Sequence, residues 1–219
     1  MILQVICRKD KLEAMLEEKE QFVTALDGKS LFTRRLIPEN ARALILMLHG
    51  ISEHSGRYHH VFERFAEKGI GCIAYDQRGH GRSARKTLGD MESMELVLED
   101  LQMMGENIRR ENEQTPLFLF GHSLGGMIAL RYLAERNGPF QGAVLSAPMG
   151  RIPDNVSPLK IRIAGLVSSL FPRLPMQKLE GSTLTKDEEE RERSRQDPLI
   201  YQGRIRARTG YETLKALVY

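Results

Sequence analysis

The stretch Thr115-Pro116-Leu117-Phe118-Leu119-Phe120-Gly121-His122-Ser123-Leu124-Gly125-Gly126 decides how the rest of the chain is organised. After Pro116 comes a short apolar run, Leu117 to Phe120, of the length expected of a buried strand. Beyond Gly126, apolar residues recur at helical spacing until Asn137-Gly138, a dipeptide typical of a helix end. The stretch therefore predicts a core strand, a tight turn and a helix in immediate succession.

The turn contains the pattern G-x-S-x-G, formed by Gly121, Ser123 and Gly125. A serine held above a sheet on a strained turn brings neighbouring backbone very close, so only glycine fits two positions to either side. The helix that follows directs its N-terminal amides towards the same place, where a negatively charged oxygen can be stabilised. Ser123 is therefore the predicted catalytic nucleophile.

The composition is that of one globular domain with a sizeable core. Of the 219 residues, 41% are hydrophobic and 28% are charged. The net charge of +3 is small and the basic residues are interleaved with acidic ones, so we expect no nucleic-acid partner. The histidines lack metal-ligand spacing and no phosphate-binding loop is found. We therefore expect no metal and no cofactor.

The two cysteines and the N-terminus bear on localisation. Cys7 and Cys72 give no disulfide framework, and Cys72 is expected to be a buried thiol in a reducing compartment. The apolar residues 1–7 lack a basic lead-in and a small-residue cleavage site, so no signal peptide is predicted. No run approaches the length of a membrane span. The expected location is cytoplasmic, with peripheral membrane association as an option.

Strand-like and helix-like segments alternate along the chain, which predicts an α/β fold with a mostly parallel sheet. An antiparallel hairpin is expected at the N-terminal side because Asp27-Gly28 is a turn dipeptide. We expect an N-terminal arm or helix at 1–19, a core at 20–150 and a helical cap at 151–219. The predicted strands are 21–26, 30–37, 43–48, 70–75, 117–120 and 142–146, and further helices are expected near 58–68 and 91–111.

Polar motifs follow the predicted parallel strands at their carboxyl ends. These motifs are His49-Gly50, the run 76–83, Ser123 and Pro148. In parallel sheets ligands bind beyond the carboxyl ends of the strands. The convergence of these motifs at one edge supports a single site.

Three motifs in order carry a family resemblance. His49-Gly50-Ile51-Ser52-Glu53-His54-Ser55-Gly56-Arg57-Tyr58, Asp76-Gln77-Arg78-Gly79-His80-Gly81-Arg82-Ser83 and the G-x-S-x-G turn together resemble the monoacylglycerol lipase and lysophospholipase branch of the alpha/beta-hydrolase family. The later run Gln196-Asp197-Pro198-Leu199-Ile200 is similar to part of that family's cap. The resemblance implies an alpha/beta-hydrolase fold with a partial helical cap, and a small lipid ester as substrate.

The resemblance also implies roles for single residues. Ser123 is the implied nucleophile, and the amides of Ile51 and Leu124 are the implied oxyanion hole. His49 and His80 are expected to shape loops by hydrogen bonding rather than to catalyse. The remaining supporting positions follow from the same motifs: Gly50 beside the oxyanion hole, and Glu53, Arg57 and His122 bracing its loop.

The histidine and acid of a catalytic triad are not found where this fold places them. The triad runs serine, acid, histidine along the chain, yet all six histidines precede Ser123. Asp154 is a weak substitute for the acid. We expect either a fragment that lacks the last strands of the fold or an inactive relative. In the fragment case the strand at 142–146 becomes an unpaired, aggregation-prone edge, with no esterase turnover.

The cap and the substrate leave alternatives open. Apolar residues recur at helical spacing from Leu159 to Phe171, and this stripe either packs onto the body or forms a lid that touches lipid. Peptidase, thioesterase or acyltransferase chemistry fits the same serine turn, since a fold does not determine its substrate. A non-catalytic binding relative is the third option.

Overall fold

The computed structural model describes residues 17–84, 87–151, 156–178 and 185–217. Strands and helices alternate through most of this part of the chain. The strands are β1 (Lys19–Thr24), β2 (Ser30–Leu36), β3 (Ala43–Leu48), β4 (Ile70–Tyr75), β5 (Leu117–His122), β6 (Ala143–Ser146), β7 (Pro175–Lys178) and β8 (Arg204–Arg206). The helices are α1 (His59–Ala66), α2 (Met94–Glu111), α3 (Leu124–Glu135), α4 (Pro158–Leu170), α5 (Glu188–Gln196) and α6 (Ala207–Ala216), with short 3-10 turns at Ser55–Tyr58 and Gly81–Ser83.

Strands β1 to β6 form one mixed sheet in the order β1-β2-β4-β3-β5-β6. β1 and β2 make an antiparallel hairpin, and β2 also pairs antiparallel with β4. The other neighbours, β4 with β3, β3 with β5 and β5 with β6, are parallel. Gly28 in the hairpin turn has a φ of +84°, which favours glycine. The predicted α/β class with its N-terminal antiparallel hairpin is confirmed.

Alternate residues of the central strands bury their side chains on opposite faces of the sheet. One face, which includes Leu46 and Leu119, is covered by α2, α3 and α6. The other face, which includes Met47 and Cys72, packs against Phe62 of α1. The predicted buried thiol is confirmed, because Cys72 is fully buried. Burial raises the pKa of this thiol to about 12.

β6 is the outermost strand on its side of the described sheet. Val144 in this strand is 56% exposed, and its register partner on β5 is Phe120. Paired residues lie on the same face of a sheet, so Val144 is on the face that α1 covers. Phe118 and Phe120 are only partly buried there. The strand predicted at 142–146 is therefore present, and in the described structure it is a sheet edge.

Beyond residue 150 the structure contains more than the predicted helices. β7 and β8 form an additional antiparallel pair, which the sequence did not predict. The last helix, α6, returns to the body of the protein, where Ala216 joins the main core. The Glu212 carboxylate on α6 accepts a hydrogen bond from the N–H of Met94, the first residue of α2, at 3.1 Å. The last described helix, α6, is thus tied into the core.

Some predictions concern the N-terminus and the cap boundary. Residues 19–20, assigned to the arm or its border, begin strand β1. The remaining arm residues 1–16, including Cys7, and Asp154 lie outside the described residues. In the part of the chain that the structure describes, no helix has the length and apolar character needed to cross a bilayer.

Candidate active site

Ser123 lies at a sharp turn between β5 and α3. Its φ and ψ are +51° and −113°, a conformation that residues with a Cβ rarely adopt. A Cβ on Gly121 would lie 2.5 Å from the carbonyl oxygen of Gly125, and a Cβ on Gly125 would lie 2.3 Å from that of Leu48. Because these contacts are to backbone oxygens, the turn requires glycine at both positions. The strand–turn–helix that the sequence predicts is present, with the serine at its apex.

Backbone hydrogen bonds hold this turn and leave the serine hydroxyl free. The N–H of Ser123 donates to the carbonyl oxygen of Ser146 at 3.0 Å, and the N–H of Met149 donates to the carbonyl oxygen of Ser123 at 3.1 Å. Ser123 is partly exposed, and its Oγ has no hydrogen-bond partner among the described residues. The N–H of Leu124, in the first turn of α3, is likewise unpaired there.

The loop between β3 and α1, residues 49–58, packs beside the serine. A Cβ on Gly50 would lie 3.4 Å from the Cβ of Ser123. Glu53 Oε1 accepts hydrogen bonds from the N–H of Gly50 at 2.5 Å and from the hydroxyl of Tyr58 at 2.8 Å. Burial and the adjacent carboxylate raise the pKa of the Tyr58 hydroxyl, so the hydroxyl remains a donor. The Glu53 carboxylate therefore holds the loop in a conformation that keeps Gly50 next to Ser123.

A second set of hydrogen bonds orients the peptide group between Gly50 and Ile51. The N–H of Gln77 donates to His49 Nε2 at 3.0 Å, which places the ring proton of the neutral imidazole on Nδ1. Nδ1 in turn donates to the carbonyl oxygen of Gly50 at 2.8 Å. The N–H of Ile51 belongs to this same peptide group and has no partner among the described residues. Its direction is fixed, and it is available to a ligand.

His49 and His80 are both buried and both neutral. Burial lowers the pKa of each imidazole, and for His80 the pKa falls to about 3, with a smaller contribution from the nearby His49 ring. His80 Nδ1 donates to the carbonyl oxygen of Arg78 at 2.8 Å. The two rings pack edge to face with centroids 5.1 Å apart. Both rings thus hydrogen-bond to loop backbone, and their exclusion from catalysis stays a prediction.

The brace expected from Glu53, Arg57 and His122 is formed in part. Arg57 Nε lies 3.3 Å from Glu53 Oε2, as expected. His122 differs, because its Nδ1 pairs with Ser146 Oγ at 3.1 Å and none of its described hydrogen bonds reaches the other two residues. The ring still lies close to Gly50. His122 therefore links the serine turn to β6 instead of completing the brace.

The aspartate that opens the second motif also serves this loop. Asp76 Oδ1 accepts hydrogen bonds from the N–H of Ser55 at 2.8 Å and from its hydroxyl at 2.5 Å. Asp76 Oδ2 accepts a third from the N–H of Arg82 at 2.7 Å. The Asp76 carboxylate thus links the 3-10 turn at Ser55–Tyr58 to the 3-10 turn at Gly81–Ser83. In this way the second motif helps to hold the 49–58 loop in place.

The sequence analysis missed Gln77 and Asp197, which also form hydrogen bonds with the 49–58 loop. Gln77 stands at the carboxyl end of β4, and its Nε2 also donates to the carbonyl oxygen of His49 at 2.7 Å. Its position after a parallel strand was the available signal. Asp197 accepts a hydrogen bond from His54, which is 143 residues away in sequence. No local pattern predicts a contact across that separation.

The arrangement presents a partly exposed serine hydroxyl, and the N–H groups of Ile51 and Leu124 have no partner among the described residues. A serine hydroxyl attacks a carbonyl carbon, and N–H groups nearby stabilise the oxyanion that forms. The hydroxyl also needs a general base, and none of the described hydrogen bonds joins Ser123 Oγ to an imidazole. The described residues therefore offer a serine hydroxyl and backbone donors, and no hydrogen bond among them links that hydroxyl to a base.

The chain is similar in sequence to known proteins. A family model described as "Serine aminopeptidase, S33" matches residues 39–219. The chain is 34% identical over 166 residues to a monoacylglycerol lipase of Mycolicibacterium smegmatis, an alignment that covers 76% of this chain and 59% of that protein. It is 30% identical over 193 residues to the monoglyceride lipase of Rattus norvegicus, covering 87% of this chain and 63% of the relative. The chain thus spans about three fifths of the length of these curated relatives.

Solved structures support the same fold. The crystal structure of a Paleococcus ferrophilus monoacylglycerol lipase superposes with a TM-score of 0.73 at 26% identity, covering 86% of this chain and 70% of that one. A soluble variant of a Saccharomyces cerevisiae monoglyceride lipase, solved with a substrate analog, gives a TM-score of 0.78 at 22% identity, with coverages of 91% and 67%. The sheet described above is that of an alpha/beta hydrolase. The chain therefore belongs to the serine aminopeptidase S33 family of alpha/beta hydrolases.

Proposed function

We propose that Ser123 is the nucleophile of a serine acyl hydrolase that cleaves carboxylic esters, with the N–H groups of Ile51 and Leu124 as its oxyanion hole. One observation carries the proposal. The serine is held in a left-handed conformation at the end of β5, and its partly exposed hydroxyl has no hydrogen-bond partner in the described part of the chain. Such strain persists only where the surrounding structure enforces it, and it is typical of nucleophiles on this turn.

The reaction proceeds in two acyl transfers. Ser123 Oγ attacks the ester carbonyl carbon and passes its proton to a general base, which later returns it to the leaving alcohol, and the carbonyl oxygen becomes an oxyanion beside the two amides. Collapse of the intermediate breaks the ester C–O bond, so the alcohol leaves with a proton and the acyl group stays on the serine. Water then attacks the acyl-enzyme and releases the acid. One oxyanion donor of this kind contributes about 3 kcal/mol to transition-state stabilisation.

The general base is the part of the mechanism that this chain does not supply. In alpha/beta hydrolases the triad histidine follows the serine, and all six histidines here precede Ser123. The described neighbours of the serine include His122, but the Nδ1 of that ring is engaged by Ser146. We therefore expect the chain as given to have no measurable esterase turnover.

The proposed substrates are monoacylglycerols and lysophospholipid-type esters. The name of the similar M. smegmatis protein supports this class. The cap helix α4 and the segment after it also expose large apolar side chains that suit an acyl chain or a lipid surface. These are Leu159, Ile163, Leu166, Leu170, Phe171, Leu174 and Met176. Peripheral membrane contact through the cap, in the cytoplasm, belongs to the same proposal.

Aminopeptidase chemistry is the second candidate because of the description of the matching family model. Such an enzyme needs a carboxylate free to bind the substrate's amino terminus. The two carboxylates that bind the backbone of the 49–58 loop are engaged by other groups: Glu53 by Gly50, Tyr58 and Arg57, and Asp76 by Ser55 and Arg82. This observation favours the ester. Thioesterase or acyltransferase chemistry and a non-catalytic binding role remain alternatives for the experiment.

The test is to extend the chain at Tyr219 with the C-terminal part of the M. smegmatis relative. We expect the extended chain to hydrolyse 1-monooleoylglycerol or lysophosphatidylcholine and to lose this activity in Ser123→Ala. Ser30→Ala is the matched control on β2 and should keep it. Turnover of leucine p-nitroanilide in place of the esters would favour the peptidase. A folded extended chain that cleaves neither the esters nor the anilide would favour a non-catalytic binding role.

A further inference from the structure

The segment after α5, residues 197–201, contacts the 49–58 loop at two points. The N–H of Tyr201 donates to the carbonyl oxygen of Ser52 at 2.9 Å. His54 Nε2 lies 2.8 Å from Asp197 Oδ2. Ser52 and His54 of the loop therefore form hydrogen bonds with the cap segment. These are additional to the hydrogen bonds that Glu53 and Gln77 form within the core.

Ser52 stores backbone strain at the position after Ile51. Its φ is +66°, in the left-handed region that residues with a Cβ rarely adopt. Strain of this kind persists where neighbouring contacts fix the backbone on both sides. At Ser52 those contacts are the hydrogen bond from Tyr201 to its carbonyl and the anchoring of His54 two residues later.

The ring of His54 has a defined orientation. The N–H of Gly56 donates to His54 Nδ1 at 3.1 Å, so the proton of the neutral ring is on Nε2 and is donated to Asp197. The second oxygen of Asp197 accepts the N–H of Leu199 at 2.9 Å, which shapes the turn that leads to Tyr201. Although burial acts to raise it, these hydrogen bonds hold the pKa of Asp197 below its usual value, so the acceptor stays ionised.

A further contact joins the same two parts of the protein. Arg57 Nη1 donates to Ser194 Oγ at 3.0 Å, and Arg57 also forms an ion pair with Glu190 on α5. The cap side of the interface therefore runs from α5 to residue 201. Its core side is the loop that carries the N–H of Ile51.

We propose that Asp197 is a positioning residue for the loop that presents the Ile51 amide. It acts by accepting the hydrogen bond from His54. It also shapes the turn from which Tyr201 donates to the carbonyl oxygen of Ser52. This inference rests on the proposed function, since it assigns the loop its role as oxyanion hole. It links the cap to that loop, because lifting residues 190–201 to admit substrate removes the hydrogen bonds at Ser52 and His54. The oxyanion hole is then fully ordered only when the cap is closed.

The test measures hydrogen–deuterium exchange by mass spectrometry on the chain as given, which needs no turnover. In Asp197→Leu we expect the backbone amides of residues 50–58 to exchange roughly tenfold faster, as expected for the loss of a hydrogen bond to a charged group. Asp197→Asn should restore most of the protection because its carbonyl oxygen still accepts from His54. Asp187→Asn is the matched control, since Asp187 caps only its own helix α5.

A second variant separates the histidine contact from the Asp197 turn. His54→Asn keeps an acceptor for the N–H of Gly56 but is too short to reach Asp197, and it should loosen residues 50–58 to a similar extent. Faster exchange confined to residues 194–203 would overturn the proposal, because Asp197 would then hold only the cap. Unchanged exchange in both segments would overturn it as well. Neither result depends on whether the extended chain hydrolyses esters.

Discussion

The two sides of Ser123 differ in how completely they are built. On the side of β3 and β4, the 49–58 loop is held by buried hydrogen bonds of His49 and Gln77 and by a partly buried one that Glu53 accepts from Gly50. On the side of β6, the sheet ends at a four-residue edge strand with Val144 56% exposed. The contrast teaches that the proposed nucleophile and oxyanion donors depend on the ordered side of Ser123, and that the β6 side contributes little to holding them.

The largest expected effect breaks the ordered side at the serine turn. Gly125→Ala places a Cβ 2.3 Å from the backbone oxygen of Leu48, which cannot move without disrupting β3. We expect the free energy of unfolding to fall by about 3 kcal/mol, measured by urea denaturation. Gly142→Ala, just before β6, is the control, because its Cβ would lie 3.5 Å from the Phe118 ring in ordinary contact. An equal loss of unfolding free energy in Gly125→Ala and Gly142→Ala would contradict the claim that the chain is more tightly packed on the β3 side of Ser123 than on the β6 side.

The next effect is a loss of stability on acidification, which also comes from the ordered side. Burial lowers the pKa of His49 and of His80 from 6.5, in His80 to about 3. The unfolded chain therefore binds these protons first, so the stabilisation is complete above pH 6.5 and declines as the pH falls below it. Each histidine contributes at most about 1.4 kcal/mol per pH unit.

Urea denaturation at pH 7.5 and 5.5 checks this sign. We expect about 2 kcal/mol less stability at the lower pH, and a clearly smaller decrease in His80→Asn, which retains a donor for the carbonyl oxygen of Arg78. His60→Asn, at an exposed position on α1, should leave the decrease unchanged. Equal stability of the parent chain at the two pH values would show that these rings are not held neutral by burial.

The smallest effect on stability is expected at the open edge. Val144→Lys changes a side chain on the poorly covered face, so the free energy of unfolding should change by no more than about 0.5 kcal/mol. The charge should reduce aggregation of the edge strand, as measured by light scattering. Leu145→Lys, one residue on, points into the main core and should cost about 2 kcal/mol. A large loss in Val144→Lys would mean that this face is covered.

Much of this architecture could be predicted from the sequence because its signals are local. The strands Ala43–Leu48 and Ile70–Tyr75 are continuous apolar runs, and their observed bounds match the predicted ones. The turn at Ser123 follows from the glycines on either side. The pairing of β7 with β8 could not be predicted, since each strand is only three or four residues long and lies in a polar context.

The residues of the site also divide into those that local sequence signals predicted and those whose contacts depend on the folded chain. Ile51 and Leu124 could be named because motifs surround them, and the structure leaves both N–H groups unpaired among the described residues. The bond from His122 to Ser146 was not foreseen, because it depends on how close β6 runs to β5. Asp197 was placed in the cap by resemblance, but its contact with the loop needs the folded chain.

The central claim is that Ser123 forms a covalent tetrahedral adduct whose oxygen is bound by two backbone N–H groups. The most direct measurement is a crystal structure of the extended chain described above in complex with an alkylboronic acid, which bonds reversibly to a serine oxygen once a base takes the serine proton. We predict boron on Ser123 Oγ, with one boronate oxygen roughly 2.7–3.1 Å from the amide nitrogens of both Ile51 and Leu124. Boron bound to another residue, or a boronate oxygen that contacts neither amide, would contradict the account.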